Sequence, residues 1–128
     1  MTNISVDDII SISEADITWD DIEVMELSYQ ALTEAVYYIL LSLTKPMHGY
    51  GIMQNVEQLS NGRVKLAAGT LYGAINTLLE KGWIIAVSEE KGSRKKEYLI
   101  TAQGKAMLRA EIIRLEELIE NGNRILEV

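Results

Sequence analysis

The stretch Gly69-Thr70-Leu71-Tyr72-Gly73-Ala74-Ile75-Asn76-Thr77-Leu78-Leu79-Glu80-Lys81-Gly82-Trp83-Ile84 decides the fold. Leu71, Ile75, Leu78 and Leu79 recur at steps of three and four, the stripe of an amphipathic helix, which predicts a helix over 68–81. Gly82 is suited to end it, because glycine adopts the left-handed conformation found just past helix C-termini. After Gly82 the period changes to two. Trp83–Ser88 and Glu97–Ile100 read as paired strands, joined by the polar, basic loop Lys91-Gly92-Ser93-Arg94-Lys95-Lys96.

Upstream, Thr33 can cap a helix running through Thr44, with Val36, Ile39, Leu40 and Leu43 on its inner face and Pro46 as the stop. A second helix starts near His48 and buries Ile52, Met53, Val56 and Leu59. Asn61-Gly62 is a turn signal, and Arg63-Val64-Lys65-Leu66 alternates as a short strand would. Downstream, Thr101 can cap a last helix whose apolar residues Leu108, Ile112, Leu115, Ile119 and Leu126 follow a heptad seam, with Gly122 at the skipped position. So long a helix exceeds what a three-helix module can cover, which predicts the same helix of a second subunit as its partner. The expected fold is mainly α (α+β): an acidic N-terminal extension over 1–31, a winged helix-turn-helix over 32–101 and a dimerisation helix over 102–128.

Charge supports this division. The 128-residue chain carries a formal net charge of -7, which taken whole argues against a nucleic-acid partner. The total hides an asymmetry. No Lys or Arg precedes Lys45, whereas Asp7, Asp8, Glu14, Asp16, Asp20, Asp21, Glu23, Glu26 and Glu34 all do. Between Lys45 and Arg109 the basic residues outnumber the acids two to one. A basic module therefore follows an acidic leader. Within the leader, Ile4-Ser5-Val6-Asp7-Asp8-Ile9 is echoed by Ile17-Thr18-Trp19-Asp20-Asp21-Ile22. Each copy has a hydroxyl N-cap, an acid three residues on and flanking isoleucines, the pattern of a helix start. A helix is expected from about Thr18 to Tyr29.

The chain has no cysteine and one histidine, His48, which excludes thiolate chemistry, disulfides and the usual zinc sites. No catalytic constellation, metal site or cofactor-binding motif is found, and the expectation is a protein that is not an enzyme. No apolar run reaches the roughly 20 residues of a membrane span, so a cytoplasmic protein without a membrane partner is expected. The chemistry that remains suits DNA. With its apolar stripe turned inward, the helix over 68–81 presents Gly69, Thr70, Tyr72, Gly73, Asn76 and Thr77. Thr70 and Tyr72 can bond phosphates, and Asn76 can read adenine in the major groove. Arg94, Lys95 and Lys96 at the hairpin tip can reach phosphates or the minor groove. Tyr50, exposed at a helix start, can bond a phosphate or pack. The alternative is a winged-helix interaction module without DNA, whose acidic leader engages a basic partner or its own basic face. A ligand sensor without independent output is a third reading.

The runs Leu32-Thr33-Glu34, His48-Gly49-Tyr50-Gly51-Ile52, Gly69-Thr70-Leu71-Tyr72, Leu78-Leu79-Glu80-Lys81-Gly82-Trp83-Ile84 and Arg94-Lys95-Lys96-Glu97-Tyr98-Leu99-Ile100-Thr101-Ala102-Gln103-Gly104 resemble the PadR family of bacterial transcriptional regulators. The resemblance spans roughly residues 32–126 and points to the small subgroup with a single C-terminal helix. It implies a homodimeric repressor on a pseudo-palindromic double-stranded operator, released in some members by a small lipophilic or aromatic effector. It also implies that Tyr50, Thr70 and Tyr72 lie near phosphates and that the Arg94 region forms the wing contact. The sequence departs from the family in having Gly73 where many members carry proline, in its longer acidic leader, and in a helix seam without tryptophan.

Overall fold

Thr33 is extended and its Oγ1 accepts a hydrogen bond from the Val36 amide at 3.2 Å, so helix α1 opens at Glu34 and runs Glu34–Ser42. In the computed structural model, residues 31–87 and 96–127 are described. The expected leader helix and the hairpin tip, with Arg94 and Lys95, lie outside them. Strand β1 (Met47–His48) leads directly into α2 (Gly49–Leu59). His48 is its cap, Nδ1 accepting from the Gly51 amide at 3.1 Å. Helix α3 (Ala68–Lys81) ends at Gly82, whose φ of 75° is the left-handed geometry a side chain would oppose. Strands β2 (Ile84–Val87) and β3 (Glu97–Ile100) pair antiparallel, and α4 (Ala102–Leu126) closes the described chain. Thr101 caps α4 by accepting from the Gly104 amide at 3.1 Å.

The order of elements differs from the expected one in one respect. Arg63–Leu66 is not a strand. The Val64 amide donates to Ser60 Oγ at 2.9 Å, so the turn that follows α2 satisfies itself. The third strand is instead β1, which pairs with β3 in the register Met47↔Tyr98 and His48↔Glu97. The sheet order is β1-β3-β2, a mainly helical winged helix-turn-helix with a small antiparallel sheet. Two residues are too few to show a period, which is why this strand left no mark in the sequence pattern.

The core lies where the helices meet the sheet. Ile39, Leu40 and Leu43 from α1 and its end pack with Ile52 and Val56 of α2 and with Leu71, Ile75 and Leu78 of α3. Ile84, Tyr98, Ile100 and Leu108 complete it from the wing and α4. Each such side chain stabilises the fold by roughly 1.5–3 kcal/mol relative to exposure. Leu59, expected in this core, is 45% exposed at the end of α2.

Helix α4 is divided along its length. Its buried residues, Gly104, Ala106, Met107, Leu108, Ala110 and Glu111, all fall in the first ten positions. Glu111 is a buried carboxylate that accepts from Arg114 and Leu32. It receives Arg114 Nε at 2.6 Å and Nη2 at 2.9 Å, and its Oε2 accepts the Leu32 amide at 2.9 Å. This ties the segment entering α1 to α4. Beyond Glu111 the helix is half-buried through Leu115 and exposed from Leu118 onward.

Candidate nucleic-acid interface

The outward face of α3 is set by its inward one. Because Leu71, Ile75 and Leu78 point into the core, Gly69, Thr70, Tyr72, Gly73, Asn76 and Thr77 face out, and all six are exposed. A β-carbon at Gly69 or Gly73 would meet nothing within 4 Å, so these glycines keep the face low and open to a close-lying partner. Ala67 caps α3 without a side-chain hydrogen bond. The first-turn amides of α3 therefore point outward without the side-chain acceptor that usually meets them, and such amides favour an anion. Thr77 Oγ1 donates to the Gly73 carbonyl at 3.2 Å, which occupies that hydroxyl on its own helix.

Two contacts bring the other expected residues to this face. The first joins α3 to α2. A β-carbon at Gly49 would lie 2.3 Å from the Tyr72 hydroxyl oxygen, so the Tyr72 ring rests on the first turn of α2. Tyr50 follows in that turn and is 64% exposed. The second contact joins the wing to the same turn. His48 pairs with Glu97 at the start of β3, which sets the exposed Lys96 one residue beyond the cap of α2. Tyr50, Tyr72 and Lys96 thus gather around His48–Gly49, with Thr70 beside Tyr72 and Asn76 one turn further along α3. Arg94 and Lys95 lie outside the described residues.

The sequence missed Lys65. It lines a shallow depression with Tyr50, Met53, Gln54, Glu57 and Leu66, which adds a cation beside Tyr50. Its alternation with Val64 and Leu66 suggested a strand and hid its place in an exposed turn. Arg63 is committed elsewhere, its Nε donating to Glu34 Oε1 at 2.9 Å. The buried Tyr98 has its hydroxyl pKa pushed up, chiefly by burial and further by Tyr72. Among the described residues no group of three or more His, Asp or Glu side chains could hold a metal ion.

The expected dimer residues divide in the same way as α4. Leu108 is 5% exposed and serves the core of its own chain. Ile112 and Leu115 are half-buried, while Ile119 is 63% and Leu126 74% exposed. Leu118 and Ile125, not singled out by the heptad reading, are exposed beside them at 52% and 68%. They extend the column that begins at Glu111, which is covered at its start and bare beyond.

The sequence profile of the Transcriptional regulator PadR-like family matches residues 38–110, more than half of the chain, from within α1 to the first third of α4. The chain belongs to the PadR-like family. Solved structures carry the same fold. A PadR family transcription regulator from Clostridium difficile R20291 superposes with a TM-score of 0.62 at 22% identity, over 73% of this chain and 99% of that one. A PadR family regulator from Eggerthella lenta gives 0.61 at 26% identity, over 86% and 96%. Bacillus subtilis PadR, solved in complex with operator DNA, gives 0.53 at 25% identity, over 61% and 46%. In sequence, 66 residues are 39% identical to an uncharacterized 37.1 kDa protein in transposon TN4556 of Streptomyces fradiae. That match spans 52% of this chain and 18% of the relative's length. PadR-like proteins are transcriptional regulators rather than enzymes. Among the described residues no helix is long and apolar enough to cross a membrane.

Proposed function

We propose that this chain is a homodimeric repressor that binds double-stranded operator DNA through α3, the first turn of α2 and the wing. The observation that supports the reading is the gathering of Tyr50, Tyr72 and Lys96 around the His48–Gly49 turn, on the side where α3 exposes Thr70 and Asn76. Small and hydrogen-bonding groups occupy the helix face, and cations flank it. That is the division of labour DNA requires, with phosphate contacts for position and a groove-facing amide for sequence. Asn76 is assigned the base contact, and Tyr50, Thr70, Tyr72, Lys65 and the Arg94–Lys96 wing the phosphates.

The dimer rests on the far half of α4. Leu118, Ile119, Ile125 and Leu126 are exposed along that half. A projecting apolar face is stabilised by a second copy of itself. Two modules held this way would read the half-sites of a pseudo-palindrome.

The test is a gel shift against fragments upstream of the chain's own gene, across a salt series. Binding should weaken steeply with salt, because each neutralised phosphate releases counterions. Arg94→Glu with Lys96→Glu should weaken binding to every fragment and flatten that slope. Asn76→Ala should change which fragment is preferred, by roughly 1–3 kcal/mol. Ile119→Glu with Leu126→Glu should give a monomer in sedimentation and abolish high-affinity binding. Absence of binding to any fragment at low salt would overturn the reading and leave a winged-helix interaction module.

A further inference from the structure

A groove runs along the flank of α3 that faces α1. Its walls are Leu32 and Val36 on one side, Ala74 and Leu78 on the other, and Trp83 at the end. Thr77 and Lys81 form its rim, and Lys81 Nζ lies 5.0 Å from the centre of the Trp83 ring. Its volume is about 220 Å³. That is below the range of about 300–1,000 Å³ typical of small-molecule sites and suits a few side chains of a peptide.

We propose that the acidic leader of the same chain, through the segment Ile17–Leu27, docks in this groove and competes with DNA for the α3 face. Three observations converge on this occupant. Ala31, where the described chain begins, itself lines the groove, so the thirty preceding residues leave from its rim. A segment only a few residues upstream can fold back into it, since each residue spans up to about 3.3–3.6 Å. The chemistry is complementary. The segment carries Ile17, Trp19, Ile22, Val24 and Met25 for apolar walls, and Asp20, Asp21, Glu23 and Glu26 for the single charged lining residue, Lys81. Residues 1–30 contain eight acids and no Lys or Arg. Finally, Ala74 and Thr77 of the groove alternate along α3 with Gly73 and Asn76 of the outward face. A seated leader therefore brings carboxylates against the surface assigned to phosphates, where like charges repel.

Docking itself does not depend on the DNA-binding reading; its regulatory consequence does. The chain has no native cysteine, so a disulfide trap is clean. In the full-length protein, Thr77→Cys is combined in turn with Trp19→Cys, Ile22→Cys and Met25→Cys, each against a control of equal tether length in which the same cysteine pair is kept and the other apolar leader residues among Ile17, Trp19, Ile22, Val24 and Met25 are changed to Ser. In a glutathione buffer, at least one of the three should close an intramolecular disulfide with an effective concentration about tenfold above its control. Closure equal to the control at all three positions overturns docking. A disulfide formed only between two chains overturns the assignment to the chain's own groove. Separately, Asp20→Asn, Asp21→Asn and Glu23→Gln together should tighten DNA binding about threefold or more at low salt, with the gain lost at high salt. Unchanged affinity overturns the competition. If no DNA binds either protein, the function proposed above fails while the disulfide result still decides docking.

Discussion

Gly49 and Tyr72 are fitted to each other across the two helices of the motif: a β-carbon on the first would stand 2.3 Å from the hydroxyl oxygen of the second. The obstacle is the far end of a side chain, which can swing away at little cost to the fold. Gly49→Ala should therefore leave the thermal midpoint close to that of the parent, because its helix-propensity effect is no more than about 1 kcal/mol. It should displace the Tyr72 hydroxyl and weaken operator binding by an amount on the order of 1 kcal/mol, the scale of one hydrogen bond. Paired melting and gel-shift measurements check this. A large loss of stability with unchanged binding would mean that the ring cannot move.

Gly104 gives the opposite case. A β-carbon there would meet the Trp83 carbonyl oxygen at 2.2 Å and Ile100 Cγ1 at 2.6 Å. Backbone cannot swing aside, and this contact is where α4 crosses the base of the wing. Gly104→Ala should destabilise the fold by about 1–3 kcal/mol, as overpacking of a filled site does. The urea midpoint is the measurement. A variant as stable as the parent would show that α4 can slide along the wing.

Glu111 joins α4 to the segment that enters α1, since its carboxylate holds Arg114 of its own helix and accepts the Leu32 amide at 2.9 Å. Removing it leaves a part-buried amide and a guanidinium without that acceptor. Glu111→Ala should cost about 1–3 kcal/mol. Glu111→Gln keeps a carbonyl oxygen for the Leu32 amide and should cost less. Hydrogen exchange at Leu32 separates the two: it should quicken in the alanine variant and change little in the glutamine variant. Equal exchange in both would mean that the amide is held by something other than this acceptor.

These contacts show what was legible in the sequence and what was not. The stripe Leu71, Ile75 and Leu78, the Gly82 stop and the Thr33 and Thr101 caps are local signals, and the helices follow them closely. Strand β1 is defined by its pairing with Tyr98 and Glu97, some fifty residues away, and two residues carry no period of their own. The same holds for the site. The outward face of α3 follows from the inward stripe, but its junction with Tyr50 and Lys96 depends on Gly49 under Tyr72 and on His48 beside Glu97. The heptad reading of α4 assigned Leu108 to a partner because periodicity alone does not tell which neighbour covers a stripe. In the fold that residue is used within its own chain.

Tyr98 makes the wing sensitive to high pH. It is 7% exposed, and its hydroxyl pKa is raised above 10.0, first by burial and then by Tyr72. Tyr37 is shifted the same way, by burial and then by Tyr38 and Glu111. A raised pKa means that the folded state holds its proton more tightly than the unfolded chain. The resulting stability is fully present below the unfolded value near 10.0 and is lost as pH rises through the folded one. The thermal midpoint should therefore be insensitive to these two groups up to about pH 10 and fall above it. Tyr98→Phe should flatten part of that fall, and Tyr37→Phe with Tyr98→Phe more of it, relative to the parent over the same alkaline range. Because Tyr98 and Tyr72 interact electrostatically, the alkaline transition should also appear in the Tyr72 ring resonances before the fold is lost. A parent and double variant with the same alkaline slope would show that neither phenol contributes.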